Sequence, residues 1–209
     1  MISHKKKLVY LMLISLLMLV ITNSAVAEPQ IDINAPSAIL MDAGTGTILF
    51  EKNAHEKMEP ASITKIMTLI IALESVESGK VNLSDIVRVS ERAWKTGGSQ
   101  VFLGPGEEQT LETLLKCIVI SSANDASMAV AEYIGGSVEG FVKLMNDKAK
   151  ELGMKNTHFT NPHGLSDPDH YTTAYDIALM SRELVKYPIF FKWSTIWMDY
   201  LEHTDKERD

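Results

Sequence analysis

Apolar and polar positions alternate in recognisably different ways along this chain. Residues 8–21 are an apolar run broken only by Ser15, preceded by Lys5-Lys6-Lys7. Residues 37–41 and 47–50 are short β-prone runs. Asp42-Ala43-Gly44-Thr45-Gly46 between them is turn chemistry, so the pair predicts a β-hairpin. Between 63 and 76, apolar residues stand at 63, 66, 67, 69, 70, 71, 72, 73 and 76. That is no one-sided stripe, and it predicts a helix buried on nearly all sides, with Pro60 suiting its first turn. Residues 81–89 read as strand or loop, and 99–103 as an extended piece between glycine-rich turns. A helix begins at Thr110, with Thr110 and Thr113 as possible caps, and is broken at 121–125. Helical character resumes from 126 to 134. The next helix covers 138–152, with Ser137 as N-cap and Gly153 as C-cap. Residues 161–169 form a long polar loop, and a last helix runs from about 173 to 186, before Pro188.

The first stretch sets the compartment. Three lysines, a 14-residue apolar run and Ala25-Val26-Ala27 read as a secretory signal peptide over residues 1–27, with Glu28 the mature start. The run is shorter than the roughly 20 residues of a transmembrane helix. An uncleaved anchor is the alternative, and in both cases the remainder is exported to the periplasm or the extracytoplasmic face of the membrane. Residues 28–209 suffice for one domain with a substantial core. Cleavage removes three lysines and no acids, which moves the formal charge from −7 to −10 and argues against a nucleic-acid partner. Cys117 is the single cysteine, so no intrachain disulfide forms, and its apolar setting makes it a buried thiol. The histidines show no metal-ligand spacing and no phosphate loop is present, so no cofactor is expected. His163 in Asn161-Pro162-His163-Gly164 reads as a loop-shaping residue.

Chemistry concentrates at Ser62-Ile63-Thr64-Lys65. A helical turn puts the hydroxyl and the amine on one face. A hydroxyl is a weak nucleophile until a base takes its proton, and a poorly hydrated lysine has a lowered pKa that suits it to that task. Lys65 is the only charge between 61 and 73. The plain alternative is an N-cap serine with Lys65 reaching solvent. Ser3-His4-Lys5-Lys6 fits the same template but falls in the signal segment. Ser122-Ala123-Asn124 lies on a connection between two apolar helices. By itself it is a turn pattern. Beside an acylating serine, Ser122 can relay a proton and the Asn124 amide can hydrogen-bond a substrate amide.

These residues, in this order, resemble the penicillin-binding serine D-alanyl-D-alanine carboxypeptidases of low molecular mass, peptidase S11 in the β-lactamase-like superfamily. Residues 35–50, 60–68, 102–106, 122–126 and 156–165 look like this family's blocks, so the resemblance covers essentially all of 28–209. It implies an α/β (α+β) fold of the serine β-lactamase/transpeptidase type, a central antiparallel sheet with a helical subdomain. It implies that Ser62 attacks the penultimate D-alanine carbonyl of a peptidoglycan stem peptide, with Lys65 as general base, Ser122 as proton relay and Asn124 binding substrate. β-Lactams would acylate Ser62. The family's third motif, K-T-G on a strand after S-x-N, does not follow here, because Lys95-Thr96-Gly97 comes before Ser122 and reads as a chance match in a loop. The expectation is therefore a partial catalytic domain. It lacks the K-T-G strand, so its sheet is incomplete, and it lacks the C-terminal domain and membrane-surface anchor. Alone, such a chain should be poorly soluble and nearly inactive. Two rivals stay open: an inactive penicillin-binding-like envelope protein, and a class A β-lactamase. The latter carries S-D-N and a loop glutamate, which the 156–171 loop lacks.

Overall fold

The computed structural model describes residues 32–204, together with His4 and Met12. The segment read as a signal peptide otherwise lies outside the described residues. The described residues from 35 onward form one compact unit. None of the described helices is long and apolar enough to cross a membrane.

Strands β1 (Ala38–Met41) and β2 (Ile48–Lys52) pair antiparallel, with a bulge between Leu40 and Met41. The turn closes as its residues predict: Asp42 Oδ1 accepts from Thr45 N–H at 2.7 Å and from Thr45 Oγ1 at 2.6 Å. Gly46 takes the positive φ of 77° that a side chain would resist. A 3-10 turn, Ala61–Thr64, follows Pro60 and runs into helix α1 (Lys65–Glu77). Ser62 was expected at the start of an α-helix and sits instead in this tighter turn. There, residues three apart eclipse one another, which brings a serine and lysine at i and i+3 together. Helix α1 is buried from Met67 to Leu73 without interruption, as an all-round apolar sequence requires.

Strands β3 (Ile86–Arg88) and β4 (Glu108–Thr110) pair antiparallel and bracket a short helix α2 (Glu91–Trp94). Thr110 then caps helix α3 (Leu111–Ser121) by accepting from Thr113 N–H at 3.1 Å. Ser122 ends it in the left-handed region, φ 55° and ψ 36°, and helix α4 (Asn124–Gly135) begins two residues later. Helix α5 (Val138–Glu151) is capped by Ser137, with Leu152 at its C-cap and Gly153 one residue beyond at φ 77°. Helix α6 (Ala174–Leu184) is capped by Thr173, and α7 (Pro188–Ser194) starts on Pro188, where the sequence had suggested only an end.

Helix α1 packs on α4, α5 and α6, and α6 also packs on β1. Met67, Ile70, Leu103, Leu114, Phe141, Phe159 and Met180 fill the core completely buried. Near the end of the described chain, Trp193 is buried, while Trp197 is 93 % exposed. Among the described residues the strands form two two-stranded sheets, so the central antiparallel sheet is present only in part.

Candidate active site

The 3-10 turn holds Ser62 at the surface, whereas Lys65, three residues on, is only 4 % exposed. Lys65 Nζ lies 3.1 Å from Ser62 Oγ and donates to the backbone carbonyl of His163 at 2.8 Å. Burial pushes the Lys65 amine down to about 8, and among the described residues no carboxylate offsets it. A neutral amine that gives one proton to the His163 carbonyl keeps its lone pair for Ser62 O–H, which is the arrangement a general base needs. The N-cap alternative is set aside, because Ser62 caps nothing and Lys65 does not reach solvent.

The loop that carries His163 is fastened to α1 at several points. Thr68 Oγ1 donates to Pro162 O at 2.6 Å. Asn161 Oδ1 accepts from Gly164 N–H at 2.6 Å and from His163 N–H at 3.2 Å. Gly164, at φ 90°, lies so close to the turn that a Cβ there would collide with the Ala61 carbonyl. His163 is a buried loop residue whose Nδ1 accepts from Leu165 N–H, and burial, then Lys65, lowers its pKa to about 4. It shapes the loop as expected. Its backbone carbonyl is a site group that the sequence did not reveal, since every residue type carries one.

Ser62, Lys65 and Ser122 line one cavity of about 350 Å3, together with Ile66, Leu69 and Ile118. The αL conformation of Ser122 is uncommon for a non-glycine residue, and such strain clusters at functional positions. Asn124 does not line that cavity. Its backbone N–H donates to Ser99 O and its Nδ2 to Gly97 O, both at 2.7 Å. Its Oδ1 is buried with no hydrogen-bond partner. A buried carbonyl left unpaired costs about 1–3 kcal/mol, which marks Asn124 Oδ1 out from the other buried side-chain acceptors among the described residues. Lys95-Thr96-Gly97 forms no strand. Lys95 pairs with Glu91 at the surface, and the contribution of this triplet is the Gly97 carbonyl that orients Asn124.

A larger cavity of about 570 Å3 between α1 and α5 is lined by charged pairs such as Lys148 with Glu74 and Glu151, and it holds no comparable nucleophile and base. Burial raises the Cys117 thiol to about 12, which removes it as a nucleophile. No group of His, Cys, Asp and Glu among the described residues is placed to hold a metal ion.

A family model described as D-alanyl-D-alanine carboxypeptidase, Peptidase_S11, matches residues 22–208. The chain belongs to this family. It is 48 % identical over 209 residues to the D-alanyl-D-alanine carboxypeptidase DacF of Bacillus subtilis, covering 97 % of this chain and 54 % of that protein. A crystal structure of the D-alanyl-D-alanine carboxypeptidase DacD of Francisella tularensis superposes with a TM-score of 0.77 at 40 % identity, covering 80 % of this chain and 41 % of that one. Penicillin binding protein 6B of Escherichia coli superposes at 0.76 with 37 % identity, covering 80 % and 55 %. The fold is therefore that of the penicillin-binding carboxypeptidases, with its sheet incomplete among the described residues. The chain spans about half the length of the curated relatives it matches. Family membership sets it apart from the class A β-lactamases.

Proposed function

We propose that this S11 chain carries the acylating centre of a serine D-Ala-D-Ala carboxypeptidase that trims peptidoglycan stem peptides. The observation that carries the reading is Lys65 Nζ, desolvated and 3.1 Å from an exposed Ser62 Oγ. Ser62 Oγ attacks the carbonyl carbon of the penultimate D-alanine as Lys65 takes its proton. The developing oxyanion is met by the Ser62 N–H, at the open end of the 3-10 turn where N–H groups lack intrahelical partners. The C–N bond breaks, and D-alanine leaves with a proton returned from Lys65 through the Ser122 hydroxyl. Water then hydrolyses the Ser62 ester. Asn124 Oδ1 accepts an N–H of the substrate's peptide backbone. A β-lactam enters the same path, because its strained amide presents the same carbonyl to Ser62. Export through residues 1–27 to the extracytoplasmic face, and association with the membrane surface, belong to the same proposal.

The test is covalent labelling of the full chain with a fluorescent penicillin. A band that unlabelled penicillin competes away, and that disappears in Ser62→Ala, is expected. Absence of label on the folded wild type would overturn the reading in favour of an inactive penicillin-binding-like protein. Label reads the acylation of Ser62 itself and needs no completed turnover.

A further inference from the structure

Between Ser62 and Lys65 stands Thr64, whose side chain is fully buried and points away from the cavity's chemistry. Thr64 Oγ1 lies 2.7 Å from Nε2 of His170, a residue 106 positions later and 2 % exposed. The other ring nitrogen decides which way this bond runs. His170 Nδ1 lies 3.0 Å from Thr160 N–H, and a backbone N–H only donates, so Nδ1 is an acceptor. The ring proton is then on Nε2, and Thr64 Oγ1 accepts it. The Thr160 hydroxyl stands 3.2 Å from the same Nδ1, and the Phe159 ring packs edge-on at 5.7 Å. Asp167, His158 and Glu59 are the charged or titratable groups that act on His170. Asp167 accepts from Asp169 N–H, His158 bonds Asp169 O and Glu59 accepts from Ser166, so each is engaged elsewhere.

The bond joins the middle of the S-x-x-K turn to the base of the 160–165 loop. The tip of that loop supplies the His163 carbonyl to Lys65 and the Pro162 carbonyl to Thr68. Loop and turn thus meet through Thr64, Lys65 and Thr68, and Gly164 leaves no room for them to slide. We propose that His170, as its Nε2–H tautomer, is a positioning residue that pins Thr64 and so holds Lys65 desolvated and aimed at Ser62. The proposal rests on the reading of Lys65 as the base. It adds a group whose ring does not line the cavity and whose bond to the turn is made to Thr64.

A merely structural histidine would change stability and leave the titration of Lys65 alone. The test is therefore NMR of the isotopically labelled full chain. It follows Lys65 through pH, assigned with Lys65→Arg, and reads the His170 tautomer from its ring nitrogen shifts. Wild type should show His170 with its proton on Nε2. Thr64→Val keeps the shape and removes the acceptor, and His170→Asn keeps an acceptor for Thr160 and removes the donor. Both should move the Lys65 midpoint up from about 8 towards 10.5 by roughly one unit or more, a tenfold loss of neutral amine at neutral pH. Thr64→Ser restores the acceptor, and His170→Gln places an amide N–H near the ring Nε2, so both should keep the wild-type midpoint. An Nδ1–H tautomer in the wild type overturns the proposal. So does an unmoved Lys65 midpoint in folded Thr64→Val and His170→Asn. Penicillin labelling separates the two claims: an unlabelled wild type with the network intact overturns the acyl-serine reading and leaves the positioning role standing.

Discussion

Lys65 is a lysine that the fold keeps from water, and its usefulness depends on pH. Only the neutral amine can accept the Ser62 proton. With a pKa of about 8, roughly a tenth of Lys65 is neutral at pH 7. The rate of penicillin acylation should therefore rise about tenfold per pH unit below 8 and level off above it. Lys65→Arg keeps the charge and removes the base, because guanidinium stays protonated, and should lower the rate by about 100-fold or more at every pH. Stopped-flow or gel-based labelling across pH 6–9 checks both. Asn124 gives a second residue-scale expectation. Asn124→Ala removes the only partnerless buried side-chain acceptor among the described residues and frees the Gly97 carbonyl. Labelling should slow by about 10–100-fold, with the Lys65 profile unshifted, since the amine's hydrogen bonds go to Ser62 and His163 and not to Asn124. At this scale the sequence was informative where side chains carry the chemistry. Ser62 and Lys65 are neighbours by spacing alone. The His163 and Gly97 carbonyls were illegible because a backbone carbonyl leaves no mark in a sequence.

The helices reflect how much of their own formation is local. Hairpin β1–β2, helix α1 and helix α5 were legible because turn residues, an all-round apolar run and a serine cap are local signals. Strand β3 lies within 81–89, read as strand or loop, whereas helix α2 is one turn long and β4 a three-residue strand, too short for periodicity to register. Helix α7 was missed because Pro188 reads equally as a stop and as a first turn. The S-x-x-K turn is a subtler case: an α-helical and a 3-10 reading share the same spacing, and the backbone chooses the tighter one. Caps make a direct prediction for elements. Thr173 Oγ1 accepts from Asp176 N–H at 3.1 Å at the start of α6. Thr173→Ala should cost about 1 kcal/mol in urea unfolding. Helix α6 also donates Arg182 to the Ala43 and Gly44 carbonyls of the hairpin turn, so that loss should loosen the β1–β2 tip first.

On the scale of the whole molecule, the proposed site is assembled from segments distant in sequence: the turn at 61–64, the junction of α3 and α4, the loop at 97–99 and the loop at 160–165. Long-range assembly of this kind cannot be read from residue spacing, and in the sequence only the resemblance to a family pointed to it. Ser122 shares the cavity of Ser62 and Lys65, whereas Asn124 stands at its edge against Gly97 and Ser99. Several large apolar side chains remain exposed, among them Leu49, Trp197, Met198 and Tyr200. The measurement that bears most directly on the account is mass spectrometry of the penicillin-treated full chain after trypsin digestion. The peptide 58–65 contains Ser62 and no other serine. The account predicts that it gains the mass of one penicillin, with fragmentation placing the adduct on Ser62. A folded chain with that peptide unmodified, or with the adduct on Ser122 or any other residue, would contradict it.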